Sequence, residues 1–242
     1  MAKTTKVSRR NFLKTTGMAA GAAALGTMAL TSAEAAMQHE AHATAASDDV
    51  NLQRGRMFFT NELEFSTLAS AAERIFPKDE NSPGAIELAV PYFIDNQLAG
   101  GWGYNAREYM VGPFAPGAPT QGPQTSLIRR DLFRQGLLLL NNAAQQRHTK
   151  DFAKLTGAEQ DAILTLCEKG ELPGEGFTSS YFFTELRNAV LAGCYADPIY
   201  NGNNNMNGWR LKEYPGAQML YTYLIENDGF DKIDPVSLAS MQ

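Results

Sequence analysis

The sequence predicts an all-α fold, a single helical domain with long Gly/Pro-rich and Asn-rich loops behind a cleavable N-terminal signal. Three observations predict it. Apolar residues recur at three- and four-residue spacing from Phe65 to Phe76, capping and stop signals bracket several further runs, and four convincing alternating strand runs occur nowhere. With 242 residues, 44% of them hydrophobic, and two Cys, the chain can bury a core without disulfide staples. That excludes a disulfide mini-scaffold, a collagen-like repeat and a wholly disordered chain.

The N-terminus comes first in order. Ser8-Arg9-Arg10-Asn11-Phe12-Leu13-Lys14 precedes an uncharged Ala/Gly/Leu stretch, Thr15–Leu30, and small residues ending in Ala33-Glu34-Ala35, an A-x-A cleavage site. The paired arginines make this a twin-arginine export signal, and the apolar stretch falls short of the ~20 residues that span a bilayer. Ser8, Arg9, Arg10, Phe12, Leu13 and Lys14 carry the signal, which addresses the chain to the twin-arginine translocase and the periplasm. Residues 1–35 are read as signal peptide, 36–59 as a flexible lead-in and 60–242 as the helical domain. The lead-in holds His39 and His42 and has no apolar period.

Asn61 opens the first helix, which carries Phe65, Leu68, Ala69, Ala72, Ile75 and Phe76 and ends at Pro77. A second is expected from Ser82 as N-cap with Pro83 at its first position, running through Ile86, Val90, Phe93, Ile94 and Leu98 with a kink at Pro91. Ser126–Ala144 reads as a third, around Ile128, Leu132, Gly136, Leu139 and Leu140. Thr156-Gly157-Ala158-Glu159 is a capping box that opens a fourth, stopped at Gly170. A fifth lies near Ser179–Ala192, with Phe182, Phe183, Leu186 and Val190. Pro215-Gly216 leads into a last short helix around Met219, Leu220, Tyr223 and Leu224.

Two segments resist regular structure. Residues 100–123 contain ten Gly or Pro, and a loop of that length is usually functional. Asp197–Gly208 is rich in Asn and Gly, which tolerate positive φ and bond their own backbone. Aromatic residues cluster on both: Trp102, Tyr104, Tyr109 and Phe114 on the first, and Tyr195, Tyr200, Trp209 and Tyr214 around the second. Trp and Tyr on irregular backbone suit protein–protein anchoring, and equally suit loops plugged back into their own core.

The inventory of chemical groups is short. Residues 1–36 hold five basic side chains and one acid, leaving 16 basic against 25 acidic afterwards, a balance that excludes nucleic acid as a partner. Gly101-Trp102-Gly103-Tyr104-Asn105-Ala106 spells a dinucleotide fingerprint, but a helix precedes it and a Pro/Gly loop follows, so a turn is the better reading. There is no haem-attachment, zinc, serine-hydrolase or phosphate-loop motif. His148 sits in a polar stretch and reads as a solvated loop histidine, and Asp79-Glu80 as a solvated turn. No catalytic, cofactor-binding or metal-ligating residue is assigned. Cys167 and Cys194 can pair with each other, reach a partner chain or remain buried thiols.

Several segments together resemble the gluconate 2-dehydrogenase small subunit family, often called subunit 3 or the gamma chain. They are Arg74-Ile75-Phe76-Pro77, Pro83-Gly84-Ala85, Tyr92-Phe93-Ile94-Asp95, Leu98-Ala99-Gly100-Gly101-Trp102-Gly103, and Asp197-Pro198-Ile199-Tyr200-Asn201-Gly202-Asn203 with Gly208-Trp209 and Tyr214-Pro215-Gly216. The resemblance runs from about Phe65 to Leu224. Two positions depart from the family pattern: Asn201 stands where Gly is usual, and so does Glu213.

The resemblance implies a periplasmic complex in which a large GMC-type flavoprotein holding FAD oxidises gluconate or a related sugar or polyol. A cytochrome c subunit with haem c passes the electrons to quinone, and the small subunit carries no redox group. This chain is then an accessory subunit, not an enzyme by itself, held at the membrane only through the complex. Its expected contact residues are Trp102, Tyr104, Tyr109, Phe114, Asp197, Tyr200, Asn203, Trp209 and Tyr214. A reading from another class is a stand-alone periplasmic enzyme or binding protein that holds a polyol with Trp209, Asn203, Asn205 and Asp197.

Overall fold

A computed structural model describes residues 54–115, 117–122, 124–225, 229 and 231–241. The signal residues Ser8, Arg9, Arg10, Phe12, Leu13 and Lys14, the whole leader and residues 36–53 of the lead-in lie outside the described residues. Six α-helices occur among those described: α1 Glu62–Ile75, α2 Val90–Ala99, α3 Arg129–His148, α4 Gly157–Glu168, α5 Ser179–Tyr195 and α6 Asn207–Leu211. Their β content is one isolated parallel bridge, Gly216 with Val236.

Helix α1 starts where Asn61 accepts the Leu63 N–H at 2.9 Å, with Glu62 and Glu64 at its positive end and Arg74 in its last turn. The second helix departs from expectation. Residues 85–89 form turns closed by Ala89 at φ 59°, and Pro91 lies in the first turn of α2 instead of kinking its middle. Proline has no N–H to donate, and the first turn needs none from it. The Glu73 carboxylate fixes the preceding turns by accepting the N–H groups of Lys78 at 3.1 Å and Ile86 at 2.9 Å.

Helix α3 begins three residues later than expected and runs four further. Its first amides are capped by the 100–128 loop, since Asn105 Oδ1 accepts the Arg129 N–H at 2.9 Å and the Gly103 carbonyl accepts that of Arg130 at 3.1 Å. His148 is therefore its last helical residue, not a loop histidine, and its Nδ1 lies 3.3 Å from Glu159 Oε1. Helix α4 has the expected Thr156/Glu159 capping box and stops at Gly170, whose φ is +77°. Helix α5, capped by the Thr178 hydroxyl, extends to Tyr195. The last expected helix shrinks to the 3-10 turn Thr222–Leu224, and the Pro215–Ala217 turn before it is tied instead to Val236 by main-chain bonds.

The helices enclose one core. α5 packs against α4 and α2, and α1 against α3. Phe133 of α3 meets Phe182 of α5 edge to face at 5.9 Å, and Leu68, Ile94, Leu98, Leu140 and Val190 close around them. At the α3–α5 crossing a Cβ on Gly136 would lie 2.2 Å from the Phe182 ring, so only glycine lets that ring in. Phe152 is buried between α3 and α4, its N–H held by Asn141 Oδ1 and its carbonyl by Gln160 Nε2.

Residues 54–59 correct the expected lead-in. They are not a flexible extension, since Phe58 and Phe59 are buried and Asp95 of α2, 0% exposed, collects the main chain before them. Its carboxylate accepts the N–H groups of Met57, of Phe58 at 3.1 Å and of Phe59 at 2.7 Å. Arg54 adds a bond to Asn204 Oδ1 at 2.8 Å. Three amides converging on one carboxylate are what keeps a buried charge tolerable.

Asp95→Ala strands two buried donors and one partly buried one and is expected to cost about 2–4 kcal/mol, with Asp95→Asn losing about half as much. Urea unfolding checks this by a lower midpoint, and trypsin should then cut the native protein faster at Arg54 and Arg56.

Candidate partner interface

The first loop divides its aromatic residues between core and solvent. Trp102 turns inward, one of the two placements its sequence left open: its ring meets Phe133 edge on at 5.7 Å and the Arg129 guanidinium covers its face at 4.9 Å. Arg129 is in turn held by Glu108 and by Glu185 at 3.0 Å. Burial works against its charge, but the hydrogen bonds to Glu108 and Glu185 outweigh it and leave the pKa above the ordinary value. Burial, followed by the charge of Glu185, pushes the neighbouring Tyr181 hydroxyl up to about 12. A cleft of about 420 Å3 between α2 and α5 is lined by Trp102, Arg129, Glu185, Gln97 and Asn188. Its charges are spent on one another, and the indole face is already occupied. Tyr104, Tyr109 and Phe114 point outward, with Tyr109 85% exposed.

The Asn-rich segment works as a clasp. Asp197 caps the turn after α5 by accepting the Ile199 N–H at 3.0 Å, and also binds the Ser237 hydroxyl at 2.7 Å and the Leu238 N–H at 2.9 Å. Asn203, 0% exposed, donates to the Ala196 carbonyl at 2.9 Å and accepts the Gly208 N–H at 2.8 Å. The Trp209 indole N–H reaches the Tyr195 carbonyl at 2.8 Å, and its ring packs on Tyr214. Asp197, Asn203 and Trp209 are thus internal fasteners, buried and bonded within the chain, so the Trp209 indole expected to stack on a polyol is turned inward. Tyr200 and Tyr214 remain half exposed.

Four asparagines, at 105, 201, 203 and 205, take positive φ, as Asn tolerates. So does Glu213, at φ 52°, where the family pattern has Gly. Its side chain pairs with Lys232 at 2.7 Å.

Sequence reasoning missed a third exposed group. Met219 is 79% exposed, Ile225 76%, and Leu220 and Tyr221 lie open beside them. Met219, Leu220, Tyr223 and Leu224 carry a helical spacing, so the sequence held no signal that Met219 and Leu220 stay open. Cys167 and Cys194 are both free and buried, and Cys167 Sγ contacts the Ser179 carbonyl at 3.3 Å. Burial pushes both thiols up to about 12. Among the described residues no three His, Cys, Asp or Glu converge as a metal site requires, and no helix is long and apolar enough to cross a membrane.

A family model for gluconate 2-dehydrogenase subunit 3 matches residues 62–216, and one for the twin-arginine translocation signal sequence matches residues 6–26. No curated protein and no solved structure matches the chain. The chain belongs to the gluconate 2-dehydrogenase subunit 3 family, and the signal directs it across the inner membrane to the periplasm.

Two outcomes are expected. Gly216 has φ +73°, and a Cβ there would lie 2.3 Å from the Val236 carbonyl oxygen. Gly216→Ala should therefore lose about 2–4 kcal/mol in urea unfolding, while Glu213→Gly changes stability by under about 1 kcal/mol. The native thiols should resist a thiol reagent at pH 8 and react fully in guanidinium. Because the fold disfavours both thiolates, their contribution to stability is intact below the unfolded thiol pKa near 9 and drains away as pH rises towards 12.

Proposed function

We propose that this member of the gluconate 2-dehydrogenase subunit 3 family is a non-catalytic escort, which binds a FAD-dependent dehydrogenase subunit, steadies it and lends it a twin-arginine signal. The large subunit oxidises gluconate or a related sugar or polyol. Its electrons leave through a cytochrome c subunit to quinone, and the complex rests on the periplasmic side of the inner membrane. One observation carries the reading. Exposed aromatic side chains, Tyr104 and Tyr109 on the first loop and Tyr200 and Tyr214 around the second, stand on segments whose polar groups are fastened internally by Asn105, Asp197 and Asn203. Apolar surface held out on fixed backbone suits a protein partner, since little ordering entropy remains to be lost on binding.

The twin-arginine route carries folded cargo, which accounts for a leader on a subunit without a cofactor: it moves a partner that must take up FAD before export. Arg9→Lys together with Arg10→Lys should leave both this chain and the flavoprotein in the cytoplasm. Cell fractionation with detection of both chains checks it, and a flavoprotein that still reaches the periplasm overturns the carrier role.

A further inference from the structure

Helix α3 opens with basic residues in the half of a helix that disfavours them. Arg129 is neutralised by Glu108 and Glu185, but Arg130 and Arg134 have no carboxylate within ion-pair distance among the described residues. They are also like charges at i and i+4, a destabilising spacing. Asp131 on the same helix and Glu64 on α1 lie nearby in the fold, and neither pairs with them. The first amides of α3 are already taken by Asn105 and Gly103, so the guanidiniums are the open anion-binding groups at this end.

Both arginines are held in place by rings. Arg130 lies over Phe58 at 4.8 Å and over Tyr104 at 4.2 Å, and Arg134 lies over Phe58 at 4.4 Å. Phe58 is itself fixed by Asp95 through its N–H. Stacking orients the planar fork while leaving its edge N–H groups for a carboxylate. Beside Arg134 an apolar groove of about 180 Å3 runs between α1 and α3, lined by Leu63, Leu137, exposed Leu138 and Thr67. The Thr67 hydroxyl is buried and has no partner.

We propose that this rim and groove are where an acidic segment of the flavoprotein docks, carboxylates on Arg130 and Arg134 and an apolar side chain against Leu138. The proposal rests on the escort reading and gives it a location. Charge argues for a protein carboxylate over a lipid surface. The chain after residue 36 has 25 acidic against 16 basic side chains and is repelled by an anionic membrane, whereas two unpaired guanidiniums stacked on the same Phe58 ring attract a carboxylate locally. Tyr104 and Leu138 flanking two arginines match the composition of protein interface centres.

The test uses the full chain, tagged and purified from periplasm, with flavin absorbance and the identity of the co-purifying flavoprotein as readouts. Arg130→Glu with Arg134→Glu should weaken capture by about a hundred-fold or more, and Arg130→Lys with Arg134→Lys should fall between, because an ammonium keeps the charge but loses the fork. Thermal unfolding of each variant separates lost docking from lost folding, and Arg130→Gln with Arg134→Gln serves if the reversal fails to fold. Undiminished capture by folded variants overturns the proposal and leaves the escort role standing. Absence of flavoprotein from the wild-type eluate overturns both. Arginine-dependent binding to phosphatidylglycerol vesicles, or arginine-dependent self-association, with capture unchanged assigns the rim to another occupant and overturns it as well.

Discussion

Irregular backbone laid against a helical core brings amide N–H groups that no helix or sheet satisfies, and the fold depends on side-chain oxygens that take them. Asp95 is the central case. It sits on α2, where its own helix needs nothing from it, and accepts from three successive residues of a segment 36 to 38 positions upstream. Asn105, Asn203 and Asp197 repeat the device for the start of α3, the start of α6 and the C-terminal segment. In effect these four residues replace the ladder that a sheet would provide. Each is short and polar, and together they let two long loops and both ends of the described chain lie flat on one core.

That division of labour explains which parts of the fold could be read in advance. Helix α1, the Thr156 cap and the Gly170 stop are local, written in residues three or four apart, and they lie where periodicity and capping put them. Helix α2 was misjudged at its start because Ser82-Pro83 and Pro91 are both legitimate helix openings, and the choice between them was made by Glu73, thirteen residues from the Ile86 amide it captures. The same holds for the lead-in: nothing local in Met57-Phe58-Phe59 announces a packed strap, and only the meeting with Asp95 makes one.

The candidate surface was legible as composition and illegible as orientation. Aromatic residues on loops do mark exposed surface, with Tyr104, Tyr109, Tyr200 and Tyr214 open, but sequence does not reveal which rings turn in. Trp102 and Trp209, the two largest, are drawn inward by partners distant in the chain, Arg129 and the Tyr195 carbonyl. Tyr104 stays outside although the Arg130 guanidinium covers its ring at 4.2 Å. Arg130 and Arg134 drew no notice because basic residues on a helix are ordinarily solvated, and their peculiarity lies in what is missing around them.

The Asp95 strap also fixes where mechanical load enters the molecule. Tension applied upstream of Arg54 is met first by the Arg54–Asn204 bond and then, along Met57–Phe59, by the Asp95 side chain of α2, which packs on α5. Three hydrogen bonds and two seated rings share that load at once, so they yield together or hold together. A cargo towed by its N-terminus is thereby gripped by its middle.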